Sequence, residues 1–307
     1  MTAEAAGRPY KLIAPDELRA LSRTSDAKGL IQLGIHLGLL AVGAILIHLA
    51  YGTWWLVPAM LLHGWFLVAL FAVVHEGVHY TAFRTRRLNE AAAWLAAAPS
   101  LLNASFYRLF HYAHHRYCQD PARDPELDPG PPRTMARYVT RILGLQYWRA
   151  RLLVAWQLAR GDASGFWFIA EGQRAQVVRS MRLMLLLDGL LLVVPLALGS
   201  LAPLLYWIGP MLLAQPILRA ILVTEHTGCS MDSDPLTNTR STLANGLVRL
   251  VHWNMPFHAE HHLYPSIPFH ALPAAHAMIG ARFAHVSPGY LAGNREILAG
   301  IRSGSAA

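Results

Sequence analysis

From Gly29 to His75 the chain contains no Asp, Glu, Lys or Arg. A helix crosses the hydrocarbon core of a bilayer in about 20 apolar residues. The run is therefore too long for one span, and it breaks naturally at Tyr51-Gly52-Thr53. This predicts two membrane helices, near 29–50 and 54–75, joined by a very short turn. Tyr51, Trp54 and Trp55 fall where an aromatic belt is expected. A second apolar block, from about Leu183 to Val223, breaks around 199–203 and predicts another tight pair, near 183–200 and 203–223. Composition agrees, with 54% hydrophobic and 14% charged residues. A soluble domain carries about a quarter charged residues. Asp188 is the one acid in the second block; it is expected near a helix end, with its carboxylate reaching toward the interface.

Charge placement predicts a topology. The turns inside the two pairs contain no Lys or Arg, whereas the segment between the pairs, 76–182, carries Arg84, Arg86, Arg87, Arg108, Arg116, Arg137, Arg141, Arg149 and Arg151. By the positive-inside bias both termini and this segment are cytoplasmic in the cell inner membrane. The net charge of +8 is read the same way, not as a nucleic-acid surface. Residues 1–28 lack the short apolar core of a secretory signal and are expected as a cytosolic arm with an amphipathic helix from Pro15 to Leu21. Residues 29–290 are expected as one membrane domain and 291–307 as a C-terminal tail. The stretch from Ala91 to Ala104 is apolar but too short to span, which suits an interfacial or re-entrant segment. Residues 120–132, DPARDPELDPGPP, are the most loop-like, and Asp120, Asp124 and Asp128 are assigned to that loop.

Eight of the 16 histidines fall in three boxes: His75 and His79 in HEGVH; His111, His114 and His115 in HYAHH; and His258, His261 and His262 in HAEHH. Positions i, i+3 and i+4 share one helix face, so each box aims its imidazoles one way. HEGVH continues the second membrane helix past the bilayer surface. Imidazole suits zinc, copper, iron and nickel, and eight rings are too many for one ion, which suggests two. HEGVH also matches the HExxH of zinc proteases, with Glu76 as general base. A protease needs only one further ligand, which leaves six box histidines unexplained. Glu76, Glu225 and Glu260 adjoin candidate ligands and could accept their second N–H. His63 precedes His75 by roughly 18 Å of helix and cannot reach the same metals. His36 and His48 are expected to bond between helices, while His252, His270, His276 and His285 are expected to be structural. Cys118 and Cys229 imply no disulfide framework and have no zinc-ribbon spacing.

HEGVH, HYAHH and HAEHHLYP, arranged around two membrane hairpins, resemble the membrane fatty acid desaturase superfamily, which includes acyl desaturases, lipid hydroxylases and carotenoid ketolases. The runs HTGCSMDSDPLTNTR and WNMPFHAEHHLYPSIPFHALP are similar to bacterial members. The resemblance covers roughly residues 30–280. It implies an all-α integral membrane protein, with four transmembrane helices in two hairpins and a cytosolic helical cap holding a non-haem di-iron site. It also implies a ninth ligand, His226 in TEHTG, and support for the last box from Asn238, Arg240 and Asn254. Stearoyl-type members carry Asn one helical turn before that histidine; this chain has Leu222.

The activity implied is O2-dependent introduction of a double bond into a fatty acyl chain of a lipid. The alternative is hydroxylation or ketolation of a lipid, carotenoid or alkane at the same site. A metal-binding scaffold or transporter is disfavoured because the boxes gather at one membrane surface, not at mid-membrane. No Cys cluster or long extra-membrane extension supplies electrons. A separate donor of ferredoxin, rubredoxin or cytochrome type is therefore expected, and no nucleic-acid partner.

Overall fold

The computed structural model describes residues 11–304; the first ten residues of the expected arm, and 305–307 of the expected tail, lie outside the described residues. The chain packs as two compact units. A membrane unit comprises Asp26–Phe110 and Ala136–Ala220; a histidine unit comprises Met1–Ser25, His111–Met135 and Ile221–Ala307.

In the membrane unit, α2 (Asp26–Ala50) and α3 (Leu56–His79) form the first pair, after the short α1 (Pro15–Leu21) of the other unit. Their turn closes with Thr53 Oγ1 donating to the Ala50 carbonyl at 2.7 Å. His36 Nε2 lies 2.9 Å from the Phe66 carbonyl and bonds the pair together, as expected. His63 Nε2 lies 3.0 Å from the Tyr206 carbonyl. His48, expected in a similar role, is exposed, because it falls outside the buried stripe of Gly43, Ile47 and Ala50. The second pair is α8 (Glu171–Ala197) and α9 (Gly209–His226), the latter entered through a wide helical turn at Leu204–Ile208. All four helices are long and apolar enough to cross a membrane.

Two expectations need correction here. The third span begins at Glu171, not near 183: EGQRAQVVRSMR is polar yet strongly helix-forming, and it buries Val177, Val178 and Met181 on one stripe. Hydropathy marks the greasy part of a helix, not its start. Asp188 consequently lies inside α8, only 7% exposed, with one carboxylate oxygen buried and without a hydrogen-bond partner. It does not reach out from a helix end. The Ala91–Ala104 segment, expected as interfacial or re-entrant, is too short to span and is largely helical. It contributes to α4 (Arg86–Ala97), whose small face lets it lie against α3: a Cβ on Gly77 would come within 2.8 Å of Ala93 Cβ. The chain continues into α5 (Ala104–Tyr117), then α6 (Met135–Ile142) and α7 (Leu145–Ala159), with Gly144 at φ +73° in the elbow between the last two.

The histidine unit is built from short pieces: α10 (Gly246–Val251), α11 (His258–Leu263), α12 (Leu272–Ile279) and α13 (Tyr290–Ser303). Two three-residue strands interrupt the helices. β1 (Arg240–Thr242) and β2 (His285–Ser287) pair in parallel, Arg240 opposite His285. The core is Ile13, Phe257, Ala259, Tyr264, Ile267 and Leu272 with their neighbours. Tyr264 OH accepts from Leu12 N at 3.1 Å, which ties the α1 segment to this core. Most of the segment expected as a tail is α13, which buries Gly293, Ile297 and Ile301.

Candidate metal centre

Each histidine box has a local reason for its shape. α5 starts where Asn103 Oδ1 accepts from Phe106 N at 3.0 Å, a side-chain cap that satisfies a first-turn donor. Its last turns then carry His111, His114 and His115 on one face. α3 runs unbroken through HEGVH and stops at Tyr80, which adopts φ +62°. This leaves His75 and His79 one turn apart, with ring centroids 5.2 Å from each other. The third box is little more than one turn of helix. Trp253 and Asn254, at φ +50° and +56°, bend the chain after α10, and Asn254 Nδ2 donates to the Phe269 carbonyl at 3.1 Å. Ser241 Oγ on β1 then accepts from Ala259 N at 3.0 Å and sets α11 in place.

Within the histidine unit the rings converge through one kind of atom. His115 Nε2 lies 3.1 Å from His111 Nε2 and 3.1 Å from His261 Nε2. His226 Nε2 lies 3.1 Å from His258 Nε2. His114, Cys118, His226 and His262 form a second group whose ligand atoms lie within 4.8 Å of one another. Two imidazole nitrogens at such a distance share at most one proton, so clustered Nε2 atoms confront one another with lone pairs. A cation relieves that repulsion. The Nε2 of His262 is buried and lacks any hydrogen-bond partner. Burial, then the neighbouring His115, His258, His226 and His114, push the pKa of His262 well below its ordinary value. The ring is therefore neutral, the form a metal requires. The residues present fit two metal ions bound through Nε2.

The far sides of the rings show how the tautomers are held. His114 Nδ1 donates to Asp124, with oxygens at 2.9 and 3.1 Å. Burial alone would lower the pKa of His114, but Glu126 and Asp124 together raise it above the ordinary value. Asp124 also accepts from Gln119 N at 2.9 Å and from Glu126 N at 2.9 Å. His226 Nδ1 donates to the Asn238 carbonyl at 3.2 Å. Both bonds leave Nε2 with its lone pair inward. Cys118 Sγ lies 3.6 Å from His226 Nδ1, on the outer side of that ring. Its thiol is raised well above its ordinary pKa by burial and then by Asp124. It backs the ring and is not read as a ligand. Glu126 lies 3.6 Å from His111 Nδ1, on the far side of that ring, and 3.8 Å from His114 Nε2.

Several sequence assignments change in the light of this geometry. Asp124 lies in the 120–132 loop, as assigned, but is 7% exposed and orients a candidate ligand. Gln119 and Glu126 were not singled out at all. The one available signal was that an acid-rich loop follows HYAHH directly. Glu260, expected to support its neighbouring imidazoles, accepts instead from His276 Nδ1 at 2.5 Å and from the Ser241 hydroxyl, tying α11 to α12 and β1. His276 is thus structural through Glu260. Glu76 accepts from Thr81 Oγ1 at 2.7 Å in the turn after α3, an engagement that does not suit a protease base. Glu225 lies 3.6 Å from His258 Nε2. Arg240 supports the His226 end and not the last box: it donates to the carbonyls of Thr224 at 2.6 Å and Thr227 at 2.9 Å, capping α9. His285 lies opposite Arg240 on β2, and His252 is buried.

Four apolar spans and two convergent groups of imidazoles define a membrane metalloprotein. Residues 52–293 match the fatty acid desaturase family, and the chain belongs to that family. It is 29% identical over 240 residues to the dihydrorhizobitoxine desaturase of Bradyrhizobium elkanii, covering 73% of this chain and 67% of that protein. It is 25% identical over 252 residues to the sn-1 oleoyl-lipid 12-desaturase of a Picosynechococcus strain, covering 75% and 71%. Family and site together make the protein a membrane oxidoreductase that uses metal.

Proposed function

We propose that this protein is an O2-dependent, non-haem di-iron desaturase that introduces a double bond into a fatty acyl chain of a membrane lipid. The observation that carries the reading is the convergence of buried Nε2 atoms whose rings are fixed from behind by Asp124 and the Asn238 carbonyl. The proposed ligands are His75, His79, His111, His114, His115, His226, His258, His261 and His262. All-nitrogen ligation suits iron, and two bound irons would supply dioxygen activation and the removal of hydrogen from an unactivated methylene. Asp124 holds the proton of His114 on Nδ1, and Asn238 does the same for His226. Burial keeps His262 neutral and limits water around the rings. Arg240 fixes the last turn of α9, and with it the position of His226.

The lipid substrate is supported by family membership and by the oleoyl-lipid specificity in one relative's name. The arginines between the two helix pairs support an inner-membrane protein with termini and boxes on the cytoplasmic side. Two electrons per turnover would come from a separate ferredoxin, rubredoxin or cytochrome. The test is expression in a host lacking the activity, with extracted acyl chains analysed by mass spectrometry. A new double bond at one position, absent with His114→Ala, is the expected result. A hydroxylated or keto product at the same dependence on His114 would replace desaturation by the alternative chemistry.

A further inference from the structure

The stretch from Arg133 to Arg160 holds six arginines and no Asp, Glu or Lys. Most of it forms α6 and α7. Along α7, Leu145, Arg149, Leu152, Leu153, Trp156 and Arg160 recur at helical spacing and are all exposed, while Ala155 and Leu158 point into the core beside Phe106, Val177 and Met181. Trp156 is 64% exposed and Leu152 57%. A helix with an outward apolar stripe edged by arginines has the pattern of one lying in a membrane interface.

The level of α7 in the membrane unit points the same way. At its C-terminal end the Ala159 carbonyl accepts from Arg182 Nε at 3.0 Å. Arg182 is the last basic residue of α8 before the apolar run that starts at Leu183. Near its N-terminal end, the Tyr147 ring lies 4.3 Å from the Arg219 guanidinium. Back from Arg219 to Leu204 the fourth span has no charge. Both ends of α7 are thus pinned where a membrane-spanning helix turns from charged to apolar. The helix between them, about 18 Å long from Tyr147 to Ala159, crosses the bundle at that boundary.

We propose that α6 and α7 form an in-plane foot that sinks its leucines and Trp156 into the acyl boundary and binds the headgroups of anionic phospholipids through Arg137, Arg149 and Arg160. A protein partner is a weaker match for this face. Transient redox partners meet over small interfaces, and between encounters such a large aliphatic patch would stand in water. Arginine stems lie along apolar surface while their heads reach phosphate, and a stretch that holds no carboxylate from Arg133 to Arg160, with the exposed Asp162 just beyond it, complements an anionic leaflet.

The test uses the full chain and reads neither metal nor turnover, so it stands apart from the desaturase reading. A spin label on Leu153→Cys, in phosphatidylcholine nanodiscs with and without phosphatidylglycerol, should be reached by oxygen and shielded from a water-soluble nickel chelate, at a depth of about 5–10 Å. Phosphatidylglycerol binding, followed by native mass spectrometry, should weaken by at least about tenfold in the Arg137→Gln, Arg149→Gln, Arg160→Gln triple variant, with phosphatidylcholine unaffected. Lysine at the same three positions keeps the charge and should keep the binding. A label at 153 open to the nickel chelate would overturn the membrane placement and leave the face to a protein partner. Equal phosphatidylglycerol binding by wild type and the glutamine variant, or equal loss in the glutamine and lysine variants, would overturn headgroup recognition.

Discussion

The four spans fall into two kinds. α2 and α8 are each 17% buried over their most apolar stretch, whereas α3 and the Leu204–His226 span are 56% and 44% buried. The outer pair is the more exposed, although it too buries His36 on α2 and Asp188 on α8. The inner pair carries the packed polar groups His63 and Gln215, runs on beyond its apolar stretch, and ends in His79 and His226. Where a helix is enclosed by protein, its termini can be placed accurately enough to hold ligands. Close approach follows the local face of a helix: a Cβ would lie 2.2 Å from the Pro210 carbonyl at Gly64 of α3, and 2.2 Å from the Ala82 carbonyl at Gly29 of α2. On α2, a Cβ at Gly38 would meet nothing within 4 Å.

The comparison breaks most visibly at the inner termini. His226→Ala should remove activity and one metal equivalent, read by product analysis beside elemental analysis, while His48→Ala on the outer α2 should change neither. Next in size, Asp124→Asn should weaken metal binding about 10- to 100-fold by freeing the His114 ring, measured by competition with a chelator; retention of full affinity would deny Asp124 its orienting role. Smaller again, Gly64→Ala should destabilise the protein by about 1–3 kcal/mol through overpacking, whereas Gly38→Ala should be neutral or slightly stabilising. Thermal unfolding in detergent distinguishes the two, and equal effects would erase the distinction between inner and outer spans.

The smallest effect belongs to His276. Its hydrogen bond to Glu260, only partly opposed by burial, raises its pKa above the ordinary 6.5. A group whose folded pKa is raised contributes stability that is complete below its unfolded pKa and is lost as pH rises through the folded value. The destabilisation caused by His276→Gln should therefore be largest near pH 6 and shrink at alkaline pH, within about 1 kcal/mol throughout. Melting curves across that range check the sign.

The sequence made the spans and boxes legible because each is a local pattern. An uncharged run of sufficient length has few fates but a bilayer, and histidines at i, i+3 and i+4 share a face whatever surrounds them. The start of α8 was not legible, since its first turns are polar and owe their burial to neighbours distant in sequence. Asp124 was hidden for a related reason: its bond to His114 closes across a loop of aspartates and prolines that has no periodicity to read. α13 was taken for a tail because its amphipathic stripe, Gly293, Ile297 and Ile301, has meaning only once the folded chain buries it. The role of Glu260 was misjudged because adjacency in sequence to His261 places its carboxylate on the opposite side of α11, facing His276 and Ser241.

The most direct measurement is the metal content of the gently purified full-length protein, by elemental mass spectrometry, beside His114→Ala. The account predicts close to two irons per chain, falling in the variant. One zinc per chain, held at HEGVH and indifferent to the loss of His114, would contradict it.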